Sequence, residues 1–252
     1  VVNDMILDLA TANKFPVNRN GEEPYTFERK KGKKVLRFEV TKEKRHLYWK
    51  SPKIECDFWA DNYTGESIVI MNPFEKHANH FFFTEKINCM PTRGFVKIGS
   101  EVIDGNRDDL FTVLDWGRGV WDHKNYWFWG NGTTYIDGKL FGFEIWGIGA
   151  PEKGRETALM YDGKCHKLGE VYLEYQPDKR WMDPWKFHEE NGRVELTMTP
   201  FYDNHNGVML PNVGMLTHQV HGLWNGTVTL DDGTVLEIKD MYAFCEKVYN
   251  KW

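Results

Sequence analysis

Hydrophobic and polar residues alternate along short stretches of the chain, and turn residues separate these stretches. The alternation is clearest at residues 194–198 and 235–238, while other stretches are rich in Val, Ile, Phe, Tyr and Trp. A period of two places one face of a strand against a core and the other in water. No stretch has a capped helical period, although short helices are possible in the first dozen residues and at residues 241–249. The pattern predicts serial antiparallel strands and little helix.

Short turn dipeptides occur between several of the predicted strands. Asp-Gly pairs separate strand-like runs at Asp137-Gly138, Asp162-Gly163 and Asp232-Gly233, and Asn191-Gly192 precedes another run. Each Asp-Gly pair can supply the positive φ angles that a tight primed turn requires. We therefore expect β-hairpins at all four places.

The length of 252 residues suits either one large β-barrel or two closely packed β units. Composition changes near Asn72-Pro73, and turn signals recur around Pro91. We therefore expect an N-terminal β unit over residues 1–85, either complete in itself or part of a truncated first barrel. Residues 86–252 are expected to form a C-terminal, β-barrel-like domain.

The charge of the chain is nearly balanced, with 32 basic and 37 acidic residues. The basic cluster at residues 29–34 predicts an exposed hairpin tip, because a nucleic-acid surface needs a broad positive face. We expect no nucleic-acid partner and, since no run of about eighteen apolar residues occurs, no membrane span. The N-terminus lacks a signal peptide, which predicts a cytoplasmic protein, although the chain begins at Val1 and an export signal could have been removed.

Tryptophans concentrate in the middle of the sequence. Five of the eleven lie within residues 116–146, around the motif Asp115-Trp116-Gly117-Arg118-Gly119. On a strand, Trp127 and Trp129 project to the same face. Such an aromatic wall is either an ordinary core or a platform on which a sugar ring or another flat ligand stacks. The candidate ligand-binding tryptophans are Trp116, Trp121, Trp127 and Trp129.

Asp115 and Arg118 are charged residues flanked by Trp and Gly, and burying a charge is costly unless the charge is paired or used. They form either a structural ion pair that closes a glycine-rich loop, or a carboxylate oriented by a guanidinium for acid or base work. Glu144 interrupts an apolar strand, and Glu156 follows in a loop. We take Asp115, Glu144 and Glu156 as candidate catalytic residues and Arg118 as a candidate binding residue.

The histidines do not form a clear metal motif. In the strand-like run 218–222 the two histidines are three positions apart, which sends them to opposite faces of a strand. His77 and His80 have the same spacing, although a turn could bring them together. The four cysteines are widely spread, without a Cys-x-x-Cys pair. We therefore expect no metal and no cofactor. Separately, we take Gln219 and His221 of the run 218–222 as candidate residues for binding a small-molecule ligand.

Several motifs follow one another in a defined order. After the Asp115-to-Gly119 motif they are residues 127–130, 156–159, 162–164, Trp185, residues 218–222, residues 244–246 and Trp252. This order, from about Lys86 onward, resembles the domain of unknown function 2804 family. The family is similar to lipocalin-like, two-barrel carotenoid hydratases and cyclases, so the resemblance implies an all-β, antiparallel, lipocalin-like fold with an aromatic-lined ligand cavity. Many members have Asn near Glu144 or Thr157, so the resemblance gives neither residue a family-wide role.

Three functions are consistent with these features, and each involves a small-molecule ligand. The sequence does not define the oligomeric state of the protein. The leading hypothesis is an acid/base enzyme of hydrolase or lyase type, acting on a small carbohydrate or glycoside, with Asp115 as acid or base and Arg118 orienting it. The second is a hydratase or isomerase of an apolar unsaturated metabolite, in which Asp115 protonates a double bond in a mostly apolar calyx. The third is a lipocalin-like protein that binds a ligand without changing it.

Overall fold

The protein is described by a computed structural model covering residues 21–62, 65–74, 77, 79–146, 155–174 and 180–251, with the backbone alone described for Trp146. All regular secondary structure in these residues is β-strand, in antiparallel sheets, which confirms the predicted fold class. The helix considered at residues 241–249 is wrong, because this segment pairs with a strand on each side. The first dozen residues lie outside the described part of the chain.

Within the described residues, the strands fall into two compact units that each take two segments of the chain. Unit 1 comprises the described residues of Val1–Thr64 and Met90–Leu114, and unit 2 those of Gly65–Cys89 and Asp115–Trp252. The strands are β1 (Tyr25–Lys31), β2 (Lys34–Val40), β3 (Lys44–Lys50), β4 (Ile54–Asp61), β5 (Ile68–Pro73), β6 (Phe81–Ile98), β7 (Glu101–Asp104), β8 (Phe111–Val120), β9 (Lys124–Ile136), β10 (Lys139–Trp146), β11 (Ala158–Tyr161), β12 (Lys164–Lys167), β13 (Val171–Leu173), β14 (Trp185–Glu189), β15 (Val194–Met209), β16 (Gly214–Thr229) and β17 (Val235–Lys251). The domain boundary expected between residues 85 and 86 stays a prediction.

Unit 1 is built from β1 to β4, which pair in chain order, from the part of β6 that follows Cys89, from β7 and from β8 up to Leu114. Strands β1 and β2 meet at the basic cluster, where Lys31 pairs with Lys34 and Gly32 has a φ of 58°. That cluster is therefore the hairpin tip that its composition predicts.

The larger part of unit 2 is a nine-stranded sheet in the order β12-β11-β10-β9-β17-β16-β15-β14-β13. The sheet curls into a half-barrel around an aromatic core. Phe143 on β10 and Trp224 on β16 have ring centroids 4.8 Å apart, although two strands lie between them in the sheet. Neighbouring strands are about 4.8 Å apart, so a flat sheet could not bring these rings together.

The face of the nine-stranded sheet opposite to this core carries polar residues. A second group of strands in unit 2, made of β5, β6 up to Cys89 and β8 from Asp115, supplies residues that contact this face. The Asn88 side-chain nitrogen donates to the Phe143 carbonyl at 3.2 Å, and the Thr133 hydroxyl donates to Asn88 Oδ1 at 2.7 Å. Gly142 permits this approach, because a Cβ there would lie 2.6 Å from Cys89 Sγ.

The four predicted turns are found, but two of them have loops longer than two residues. Asn191-Gly192 has a positive φ at the glycine only, and it lies between β14, which ends at Glu189, and β15, which begins at Val194. Asp137-Gly138 and Asp162-Gly163 have positive φ at both residues and form two-residue hairpin turns. At Asp232-Gly233 only the glycine has a positive φ, and the loop is longer because Thr229 is the last residue that pairs, with Val235. No helix in the described part of the chain has the length and apolar character needed to cross a membrane.

Candidate functional site

Lys86 is a buried cation at the centre of the polar contacts in unit 2. Its residue is 3% exposed, its Nζ lies 2.6 Å from Asp115 Oδ2, and the same atom lies 4.5 Å from the Trp129 ring centroid. Burial lowers the pKa of the Lys86 ammonium, but the charges of Glu156, Asp115 and Glu144 and the hydrogen bond to Asp115 outweigh burial and raise it. Lys86 is therefore held as a cation among carboxylates.

Glu144 is fully buried and has a donor at each carboxylate oxygen. The Trp129 indole N–H donates to Oε2 at 2.6 Å, and the Asn131 amide donates to Oε1 at 2.7 Å. Burial raises the pKa of the Glu144 carboxyl to about 7, against the opposing effects of Lys86, Trp129 and Asn131. Glu144 therefore changes its charge near neutral pH, as acid/base groups in enzymes do.

Glu246 on β17 repeats this arrangement on the other side of β9. The Trp127 indole N–H donates to Oε1 at 3.1 Å, and the Gln219 amide donates to Oε2 at 2.9 Å. Burial raises the pKa of the Glu246 carboxyl, while Trp127, Gln219 and Lys86 act in the opposite direction. Trp127 and Trp129, expected to share a face, thus each bind a buried carboxylate on that face.

Asp115 is the carboxylate at the solvent side of this cluster. Its side chain is 44% exposed and accepts a second hydrogen bond from the Thr84 hydroxyl at 3.2 Å. Glu156 is buried, and its charge acts on Lys86. The structure thus brings Asp115 and two further predicted carboxylates around one lysine. We call Lys86, Asp115, Glu144, Glu156 and Glu246 the lysine–carboxylate cluster.

Arg118 contacts a different residue from the one considered in the sequence. Its guanidinium lies over the Trp116 ring, 4.8 Å from the centroid, while Asp115 pairs with Lys86. Residues three apart on a strand project to opposite faces, and this motif is part of β8 rather than a loop. Its glycine at 119 is required by close packing, because a Cβ there would lie 2.2 Å from the Phe81 carbonyl oxygen.

His221 belongs to an aromatic surface that begins at the lysine–carboxylate cluster. Phe244 meets the Trp129 ring at 5.1 Å with an interplanar angle of 86°, and its centroid is 5.9 Å from the His221 ring. The Tyr242 hydroxyl lies 3.1 Å from His221 Nδ1, and burial lowers the pKa of His221. Tyr242 is 60% exposed, so the surface reaches solvent. Trp121 is also exposed, just after β8 ends.

The sequence matches a family model described as "Domain of unknown function (DUF2804)" over residues 2–252. The chain belongs to this family. Among curated proteins, none matches the sequence of this family member. Among solved structures, the crystal structure of kievitone hydratase from Nectria haematococca is similar, with a TM-score of 0.48 and 10% sequence identity. The similarity covers 83% of this chain and 65% of the hydratase chain, so this family member spans less than two thirds of that protein.

Three residues of the site in this family member were missed in the sequence: Lys86, Asn131 and Glu246. Lys86 and Glu246 each belong to a pair of adjacent charged residues, Glu85-Lys86 and Glu246-Lys247, whereas Glu144 is a single charge in an apolar stretch and is easier to recognise. Asn131 follows Trp129 at a spacing of two on β9 and therefore shares its face. Their grouping depends on strand register, which places Trp129 opposite Glu246 and Asn131 opposite Glu144.

Proposed function

We propose that this protein is an acid/base enzyme that acts on a small polar molecule, of the carbohydrate or glycoside class, at the lysine–carboxylate cluster. The observation that carries the proposal is the contact of the buried Lys86 with the solvent-side Asp115, next to a glutamate whose pKa is about 7. A buried lysine and several carboxylates are costly for a fold, and such groups gather where proton transfer requires them.

In this proposal, Asp115 contacts the substrate, because its carboxylate is the solvent-side member of the cluster. It accepts a proton from a substrate hydroxyl or a water molecule and later returns that proton. Lys86 orients Asp115 through the 2.6 Å contact and balances its charge. Glu144 is fully buried and acts through Lys86, so it is a positioning residue whose ionisation sets the charge beside Asp115.

The substrate class follows from the surface next to the cluster. Phe244, His221 and Tyr242 form a continuous aromatic surface that leads from Trp129 to solvent. Aromatic ring faces stack on the C–H surfaces of sugars, and carboxylates bind sugar hydroxyls or transfer protons to them. The Lys86 ammonium already lies over the Trp129 ring. The rings of Tyr242 and Phe244 are therefore the better candidates for stacking on a sugar.

Hydration of a carbon–carbon double bond is the second candidate, because the same aromatic surface suits a flat unsaturated molecule. This alternative requires a site with few polar groups. The lysine–carboxylate cluster contains four carboxylates, and the amides of Asn131 and Gln219 donate hydrogen bonds to two of them, which favours a polar substrate. Ligand binding without turnover is the third possibility, which the experiment below separates from both enzymatic candidates.

The test incubates the full chain with chromogenic glycosides, free oligosaccharides and unsaturated phenolic compounds, and then analyses each compound for chemical change. We expect turnover of at least one sugar derivative, and Asp115→Asn should reduce kcat by a factor of about 10²–10⁴. Asp162→Asn is the matched control, because Asp162 is also an exposed carboxylate paired with a lysine, Lys139, at 2.8 Å. Unchanged turnover in Asp115→Asn would overturn the assignment, and recovery of every bound compound unchanged would favour the binding protein.

A further inference from the structure

His77, His80 and Asp122 form a second cluster of chemically active side chains in unit 2. His77 Nδ1 lies 2.7 Å and His80 Nδ1 2.6 Å from the same atom, Asp122 Oδ1. The three potential ligand atoms all lie within 4.8 Å of one another. His80 precedes Lys86 by about six residues, roughly 20 Å along a strand at about 3.3 Å per residue, so this cluster is separate from the lysine–carboxylate cluster.

The backbone holds the two histidines in this position. They lie in the loop of the β5–β6 hairpin, where the His80 N–H donates to the His77 carbonyl at 2.9 Å and the Phe74 N–H donates to the His80 carbonyl at 3.0 Å. The first of these bonds holds the backbones of His77 and His80 together, although the two residues are three positions apart in the sequence. Because the two histidines lie in a loop and not in a strand, their spacing of three does not place them on opposite faces.

Asp122 reaches the two histidines from the end of β8, which pairs with β6. Its side chain is 14% exposed, while those of His80 and His77 are 24% and 55% exposed. The carboxylate is therefore largely enclosed, and the imidazoles face the solvent from which an ion would arrive. The rings of His77 and His80 are 4.5 Å apart, so both nitrogens stay close to the carboxylate.

The geometry points to a divalent transition-metal site at His77, His80 and Asp122, of the kind that binds zinc. Two imidazole nitrogens and one carboxylate oxygen are ligands that suit zinc, and three protein ligands leave a fourth position for water or an anionic oxygen. Tetrahedral ligands about 2.0–2.2 Å from zinc lie roughly 3.4 Å from one another. To bind zinc, the two distances from histidine Nδ1 to Asp122 Oδ1, now 2.7 and 2.6 Å, would therefore have to increase by less than about 1 Å. Rotation of the side chains allows this change.

The site would tie the β5–β6 hairpin loop to the end of β8, since its ligands come from both. This inference does not depend on the proposed enzymatic function. It predicts that zinc stabilises the folded chain, because an ion that binds the folded state and not the unfolded state shifts the unfolding equilibrium.

The experiment titrates the chelator-treated full chain with Zn²⁺ alone, in competition with a chromophoric chelator. We expect one Zn²⁺ per chain, with an affinity that falls at least tenfold in His80→Gln and in Asp122→Asn. Glutamine keeps an N–H donor for Asp122, so His80→Gln removes a metal ligand while leaving the loop a hydrogen bond. Circular dichroism and the Tm without zinc check that both variants are folded.

His188→Gln is the matched control, because His188 also contacts two carboxylates, those of Glu174 and Glu195. Its zinc affinity should equal that of the unmodified protein. The proposal is overturned if the chain takes up no Zn²⁺, or if His188→Gln weakens binding as much as His80→Gln does. Co²⁺ gives an independent readout: we expect absorption bands of nitrogen and oxygen ligands, and a thiolate charge-transfer band would instead place the metal on a cysteine.

Discussion

The two faces of the nine-stranded sheet are both buried where β9, β10 and β17 meet, yet their chemistry is opposite. Phe143 and Glu144 are neighbours in the sequence, and neither is exposed. Phe143 packs against Trp224 in the apolar core, whereas Glu144 accepts hydrogen bonds from Trp129 and Asn131. Cys245 and Glu246 divide between the two faces in the same way.

The two faces of the sheet stabilise their buried side chains by different interactions. On the core face, side chains are held by shape and by apolar area removed from water, and other apolar side chains of similar volume can substitute. On the polar face, each buried oxygen needs its own donor, because an unsatisfied buried group loses the hydrogen bonds that water would give. A fold does not need this second arrangement for stability, and we therefore interpret the polar face as the functional one.

The largest expected effect is on the core face. Phe143→Ala should lower the free energy of unfolding by about 3–5 kcal/mol, because it removes buried area and leaves a cavity beside Trp224. Urea unfolding measures this change. Tyr135→Ala, at a 43% exposed position on β9, is the control and should change stability by less than about 1 kcal/mol. A similarly small loss for Phe143→Ala would show that the core is not where we place it.

The next effect concerns Glu144 and has a defined sign with pH. Its pKa is about 7 in the folded chain against an ordinary 4.5, so between these values the folded chain retains a proton that the unfolded chain has lost. The contribution of Glu144 to stability should therefore be fully present below pH 4.5 and be lost as pH rises to about 7, by roughly 3 kcal/mol. Glu144→Gln should remove this component of the pH dependence, as urea unfolding at a series of pH values would reveal.

The control for that series is Glu237→Gln, which changes an exposed glutamate of the same sheet and should leave the pH dependence as it is. Equal pH profiles for Glu144→Gln and the unmodified protein would mean that Glu144 titrates alike in the folded and unfolded chain.

The smallest effect separates the indole N–H of Trp129 from its ring. Trp129→Phe keeps an aromatic ring near Lys86 but removes the donor 2.6 Å from Glu144 Oε2, at an expected cost of about 1–3 kcal/mol. Trp127→Phe makes the same change at Glu246, where the donor distance is 3.1 Å, and should cost less. The opposite order of the two losses, measured by urea unfolding at pH 8, would contradict the assignment of Glu144 as the more deeply buried acid.

Much of the fold could be predicted because local chemistry decides it. Asp137-Gly138 and Asp162-Gly163 determine their turns, and alternation at residues 194–198 identifies a strand with one buried face. Residues 241–249 could not be assigned in this way. They form a mostly apolar run in β17, whose neighbours in the sheet are β9 and β16, and a short apolar run can belong to a strand or to a helix.

The site could be predicted only in part. Asp115 and Glu144 stand out as charges near apolar residues and Glu156 as a third carboxylate in a loop, and the structure places all three near Lys86. The partner of Asp115 could not be predicted, because Lys86 belongs to another strand and single-chain spacing suggests Arg118 instead. Long-range register likewise joins Trp127 to Glu246 across more than a hundred residues. The same limit applies to His77 and His80, whose turn conformation decides which side they share.

The most direct test of the account measures the ionisation of Glu144 in the folded protein. ¹³C NMR of side-chain carboxyl groups, followed against pH in the unmodified protein and in Glu144→Gln, identifies its signal by difference. We predict a carboxyl that titrates near pH 7 and whose pKa rises further in Lys86→Met, because the lysine charge favours the ionised form. A Glu144 signal that titrates near its ordinary 4.5, with no change in Lys86→Met, would contradict the claim that these residues form one coupled proton-transfer site.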